Sequence, residues 1–94
     1  MMWQIPFKPD KLTKDDLDKE ILRAGIIAEL DAINLYEQLA ALTGKEHIRR
    51  IFLDIAREEK THVGEFHALL LQEDKQQGEE LRAGEREVRE KTIT

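Results

Sequence analysis

A chain of 94 residues allows one domain at most, and one that small buries so little apolar surface that a lone copy is expected to be marginal. A hydrophobic share of 40% and a charged share of 37% suit helices that carry one apolar stripe each, while the net charge of −5, with 15 basic residues interleaved among 20 acids, excludes a nucleic-acid face and favours cationic partners. The absence of cysteine removes disulfides, thiolate zinc sites, iron–sulfur clusters and rubredoxin-type iron, leaving His and carboxylate as the strong metal ligands.

In chain order, residues 1–12 hold both prolines, Pro6 and Pro9, together with Trp3, Ile5 and Phe7, and read as an extended arm. Thr13, followed by Asp15 and Asp16, supplies an N-cap and an acidic first turn, so a first helix is expected over 13–43. Gly44 fits the left-handed position that closes many helices, and a second periodic segment runs over 46–72. The short connection makes the two helices antiparallel neighbours. Over 73–94 the apolar residues thin to Leu81, Ala83, Val88 and Ile93, and with Gly78 and Gly84 in its course this segment reads as a weak helix or a tail. No apolar run approaches the length of a membrane span, and Met1 to Asp10 lacks a secretory leader pattern, so a soluble cytoplasmic protein without membrane contact is expected.

Polar residues interrupt both stripes at their centres. Leu22, Ile26, Ile33, Tyr36 and Ala40 share one face of the first helix, with Glu29 in the middle. Ile48, Phe52, Ile55, Phe66 and Leu69 form the corresponding stripe of the second, with Glu59 and His62 in its middle. A buried carboxylate must be neutralised, ion-paired or bound to a cation, and the stripes offer few basic partners.

Glu-x-x-His is a weak signal alone, and register strengthens it. Glu29 lies 15 residues before Gly44, while Glu59 and His62 lie 15 and 18 residues after it. At about 1.5 Å per residue all three stand about 22 to 27 Å from the turn. In an antiparallel hairpin they converge, either as metal ligands or as a protonated or ion-paired core cluster.

A bundle-type di-iron centre takes one Glu from each of two helices and a Glu-x-x-His from each of the other two, so one chain supplies half a site. A twofold dimer of hairpins would complete a four-helix bundle, and its four carboxylates would balance two Fe²⁺ ions. The expected fold is thus all-α: an antiparallel two-helix hairpin plus a short C-terminal helix, completed by an obligate dimer. Oxygen and nitrogen ligands also accept Mn²⁺, Zn²⁺ or Ca²⁺.

The segments IIAELDAINLYEQLA around Glu29 and LDIAREEKTHVGEFHALL around Glu59 and His62, about a third of the chain, resemble the encapsulated ferritins, short ferritin-like proteins that store iron inside encapsulin nanocompartments. The resemblance implies a ferroxidase centre across a dimer interface, with Glu29, Glu59 and His62 as its ligands and catalytic residues. It also implies Tyr36 beside the site, a ring of five dimers with the C-terminal segment packed between them, mineralisation in a surrounding encapsulin shell, and a place in that shell's lumen. The family's outer, ion-attracting acids are reduced here to Asp31, with Ala28 at a neighbouring position. Glu87 to Thr94 shows no hydrophobic docking peptide, which leaves open a truncated chain, a form fused to its shell protein, or an unencapsulated one.

Other polar residues receive plainer readings. His47 and His67 read as surface or packing histidines, Glu58 as a surface acid and Glu65 as a neighbour of the site or a solvated acid. Two further functional classes stay open: a rubrerythrin-like peroxide scavenger, and a helical oligomer that binds metal without turnover or is purely structural.

Overall fold

The computed structural model describes residues 13–92, and the N-terminal arm expected over residues 1–12 lies outside them, as do residues 93 and 94. Three helices follow one another: α1 (Lys14–Leu42), α2 (Glu46–Glu73) and α3 (Lys75–Thr92). None of them is long and apolar enough to cross a membrane.

At the start of α1 the Thr13 hydroxyl accepts the Asp16 N–H at 3.1 Å and donates to the Asp16 carboxylate at 2.8 Å. One of the four free donors of the first turn is thereby satisfied, and Asp15 and Asp16 oppose the positive end of the helix dipole. The turn to α2 differs from the glycine-closed helix end expected at Gly44. No described residue has a positive φ, and the turn is made by extended Thr43 (φ −76°, ψ 140°) and Lys45 (φ −107°, ψ 121°). One terminal carbonyl of α1 and that of its cap residue are satisfied from α2 instead. Arg49 donates through Nε to the Ala40 carbonyl at 3.2 Å and through Nη2 to the Thr43 carbonyl at 3.0 Å. A guanidinium at the negative end of a helix dipole gives charge-assisted bonds, so the turn has no need of a left-handed residue.

The hairpin core is narrow. Ile33 and Ala40 of α1 and Ala56 and Leu70 of α2 are buried, and the other stripe residues are half-buried. Leu69, expected in the α2 stripe, is 46% exposed, and Leu70 takes its place. At about 100° per residue, Leu70 returns to within about 20° of Glu59, whereas Leu69 lies about 80° away. Tyr36 packs on Phe52 with ring centroids 6.0 Å apart, and Lys60 pairs with Glu37 across the helices at 3.1 Å.

The segment after α2 is a full helix. Asp74 ends α2 and caps α3, its Oδ1 accepting the Gln77 N–H at 3.1 Å while Oδ2 accepts from Arg23 of α1 at 2.8 Å. Backbone hydrogen bonding without unusual φ carries the helix through Gly78 and Gly84, and Arg89 pairs with Glu85 one turn earlier. Only the beginning of α3 packs closely: Gly78 is buried near Leu71, whereas Leu81 and Val88 are exposed. The Cα radius of gyration is 16.8 Å, against about 12 Å for a compact domain of this length.

Candidate metal centre

Glu29 lies halfway along α1, and Glu59 and His62 lie halfway along α2, where the hairpin brings the two stripes together. One ligand atom from each of the three falls within 4.8 Å of the others. His62 Nδ1 is 3.5 Å from Glu29 Oε2 and 3.4 Å from Glu59 Oε2. Both separations exceed the 2.7–2.9 Å of a charge-assisted N–H···O bond. They match the span of two ligands each about 2.1 Å from one ion at about a tetrahedral angle.

Burial is uneven across the cluster. The two glutamate side chains are 19% exposed, whereas the imidazole is 45% exposed. Glu29 Oε2 is shielded from solvent and has no hydrogen-bond partner among the described residues. An unsatisfied carboxylate oxygen costs several kcal/mol in a protein interior, and coordination to a cation removes that cost. Two carboxylates and an imidazole, with no thiolate in the chain, suit Fe²⁺, Mn²⁺ or Zn²⁺. The residues present therefore fit a metal ion.

Tyr36, two turns after Glu29, is half-buried against Phe52. Asp31 stands apart. With Ile27, Leu30 and Asn34 it lines a shallow groove of about 120 Å³, and two residues along a helix place it about 200° from Glu29. Among the described residues no three-ligand cluster includes it. His47 is exposed in the first turn of α2, His67 is half-buried, and neither joins the triad. Glu65, exposed, lines an open surface groove of about 300 Å³ together with His62 and Phe66.

Two contacts that shape the hairpin were not legible as such in the sequence. Arg49 fixes the hairpin turn, and no local rule joins an arginine to carbonyls six and nine residues earlier. Gly25 lies against Phe66, one turn from Glu29, and an interior helical glycine shows its reason only when the opposing helix is in place.

Residues 20–94 match the rubrerythrin family model. A ferritin-like–encapsulin shell fusion protein of Pyrococcus furiosus is 61% identical over 80 residues, which cover 85% of this chain and 23% of that protein. The chain thus spans about a quarter of that relative's length. The crystal structure of an encapsulated ferritin domain from the same organism superposes with a TM-score of 0.85 at 49% identity, covering 96% of this chain and 97% of that one. The all-α ferritin-like arrangement is thereby shown, and with it a carboxylate and imidazole cluster consistent with iron binding. By the family model and these two relatives, the chain belongs to the rubrerythrin family and is one of the encapsulated ferritins.

Proposed function

We propose that this protein is a ferroxidase: it takes up Fe²⁺ at a di-iron site shared by two copies, oxidises it to Fe³⁺, and feeds iron storage inside an encapsulin shell. The observation that carries this reading is Glu29 Oε2, buried and without a hydrogen-bond partner, facing the Glu59 oxygen and the His62 nitrogen. A carboxylate oxygen held that way in the middle of an apolar stripe suits a cation.

Glu29, Glu59 and His62 would bind the substrate iron, with the carboxylates compensating its charge and the imidazole adding a neutral donor. Each Fe²⁺ loses one electron to an oxidant, and the harder Fe³⁺ product keeps its preference for oxygen ligands. Sharing between copies follows from the donor count. One chain offers two carboxylates and one imidazole, half of what a bundle-type di-iron centre uses. The half-exposed imidazole and the exposed Leu69 leave room for the second copy. A ring of five dimers, suggested by the sequence resemblance, is the assembly we propose. An encapsulin shell as partner and cytoplasmic location in its lumen draw support from the relative named as a fusion to a shell protein.

Anaerobic titration with Fe²⁺ is expected to saturate near one ion per chain, and admission of air to produce ferric absorbance. Glu59→Ala and His62→Ala should each abolish both signals. Oxidation at the wild-type rate in either variant would end the assignment. The match to the rubrerythrin model favours a second reading, peroxide reduction at the same site. Consumption of peroxide coupled to an added reductant, without accumulation of ferric product, would select it.

A further inference from the structure

One turn from the triad, the α1 backbone meets an aromatic ring of α2. A β-carbon on Gly25 would lie 3.2 Å from Phe66 Cδ2 and 3.3 Å from Cε2, tighter than ordinary van der Waals contact. Gly25 stands four residues before Glu29, and Phe66 four residues after His62, so each neighbours a triad residue on the same helical face. Phe66 also lines the open surface groove of about 300 Å³ that His62 and Glu65 share. The ring is therefore seated between the α1 backbone and the space beside the imidazole.

Glycine within a helix lowers its stability, and Gly25 does not use the positive φ that glycine alone adopts freely. Close approach is the remaining physical reason for it. The geometry points to Gly25 as a positioning residue for His62 that acts through Phe66: the absent β-carbon lets the ring lie against α1, and the ring in turn fixes where the imidazole sits. A methyl group there pushes the ring outward by a few tenths of an ångström. The imidazole then leaves the point at which Nδ1 faces Glu29 and Glu59 at 3.5 and 3.4 Å. This inference rests on the reading of Glu29, Glu59 and His62 as metal ligands.

The test compares Gly25→Ala with Gly64→Ala in the full chain, using Co²⁺ as a spectroscopic probe. Gly64 is two residues past His62, about 200° around α2, and a β-carbon there meets nothing within 4 Å. It isolates the gain in helix propensity that both substitutions share. Gly25→Ala is expected to bind Co²⁺ about tenfold more weakly, as happens when a metal ligand loses its supporting neighbour. Its visible cobalt spectrum should change while its thermal midpoint stays level or rises. Gly64→Ala should keep wild-type affinity and spectrum. Phe66→Leu should weaken Co²⁺ binding by itself, and adding Gly25→Ala to it should cost little more, because the glycine acts through the ring.

Unchanged affinity and spectrum in Gly25→Ala would overturn the inference. So would equal losses in the two glycine variants, or a loss in Gly25→Ala that tracks its thermal midpoint and adds in full to that of Phe66→Leu. A wild-type chain that binds no Co²⁺ overturns the ligand reading itself, and this inference with it. Wild-type binding that disappears in Glu59→Ala leaves Gly25 alone at issue.

Discussion

The α1–α2 hairpin and α3 are helical for different reasons. The hairpin is tied together at every level: Arg49 closes the turn, Tyr36 and Phe52 pack above it, Lys60 pairs with Glu37, and Arg23 reaches Asp74 at the far end. Beyond its first turn, α3 has few ties to the rest of the chain. It is held by the Asp74 cap, the Gly78 contact with Leu71 and local pairs such as Arg89 with Glu85. An isolated helix of 18 residues is marginal in water, so these local terms matter. Cross-links run the length of the hairpin on both sides of the three clustered polar side chains, and α3 leaves its apolar side chains Leu81 and Val88 outward. The hairpin holds the candidate ligand cluster, whereas α3 offers surface.

The largest expected effect comes from the hairpin's metal-dependent stability. At a free metal concentration about 100 times Kd, a metal bound only by the folded state adds about 2.7 kcal/mol, or about 10–20 °C in thermal midpoint for a chain of this size. Glu29→Gln should remove that increment. It should also raise the metal-free midpoint slightly, because it replaces a carboxylate whose Oε2 is buried without a partner, close to a second carboxylate. Thermal melts at fixed protein concentration, with and without Mn²⁺, check both signs. A variant as responsive to metal as the wild type would move the site elsewhere.

Next in size is a pair of truncations that sets the two regions against each other. Ile33→Ala removes buried packing from the hairpin and should cost about 2–4 kcal/mol in urea unfolding. Leu81→Ala removes an exposed side chain from α3 and should cost less than about 0.5 kcal/mol. Similar losses would mean that α3 is buried by another copy in the assembled protein, and the contrast would then hold for the single chain alone.

Where the sequence was informative, the reason was helical arithmetic. The coincidence in level of Glu29, Glu59 and His62 depends only on rise per residue and on the position of the turn, and both are visible in the chain. Spacing by sevens and threes drifts, and over three turns of α2 that drift exchanged Leu69 for Leu70. Gly44 was a sound local reading of a helix end, but Arg49 of the next helix bonds the Ala40 and Thr43 carbonyls there. The strength of α3 was underread because Gly78 and Gly84 lower propensity, while Asp74 works through a partner 51 residues away. Asp31 entered by resemblance alone, and its groove faces away from Glu29. The other half of the site is invisible to the sequence and the single chain alike, because it belongs to a second copy under our proposal.

The smallest expected effect is a pH response confined to the α2–α3 junction. The Asp74 carboxyl is held below its usual value first by the Gln77 N–H and further by Arg23 and Lys19, against a counteracting effect of burial. A depressed folded value means that the unfolded chain binds protons more readily, so stability falls as pH falls. The contribution is complete above the ordinary carboxyl value of about 4 and is lost as pH drops through the lower folded value. Acidification across that window should release the cap and the Arg23 pair together, so helicity at the start of α3 should decline before the hairpin melts. Asp74→Asn keeps an N-capping group but removes the titrating carboxyl. It should flatten this junction-specific step while leaving the general acid sensitivity of the hairpin in place. Amide exchange at Gln77 and Gly78, followed over the acid range in wild type and variant, reads the difference directly. Coincident loss of protection throughout the three helices in the wild type would show that α3 is coupled to the hairpin far more tightly than one cap and one ion pair imply.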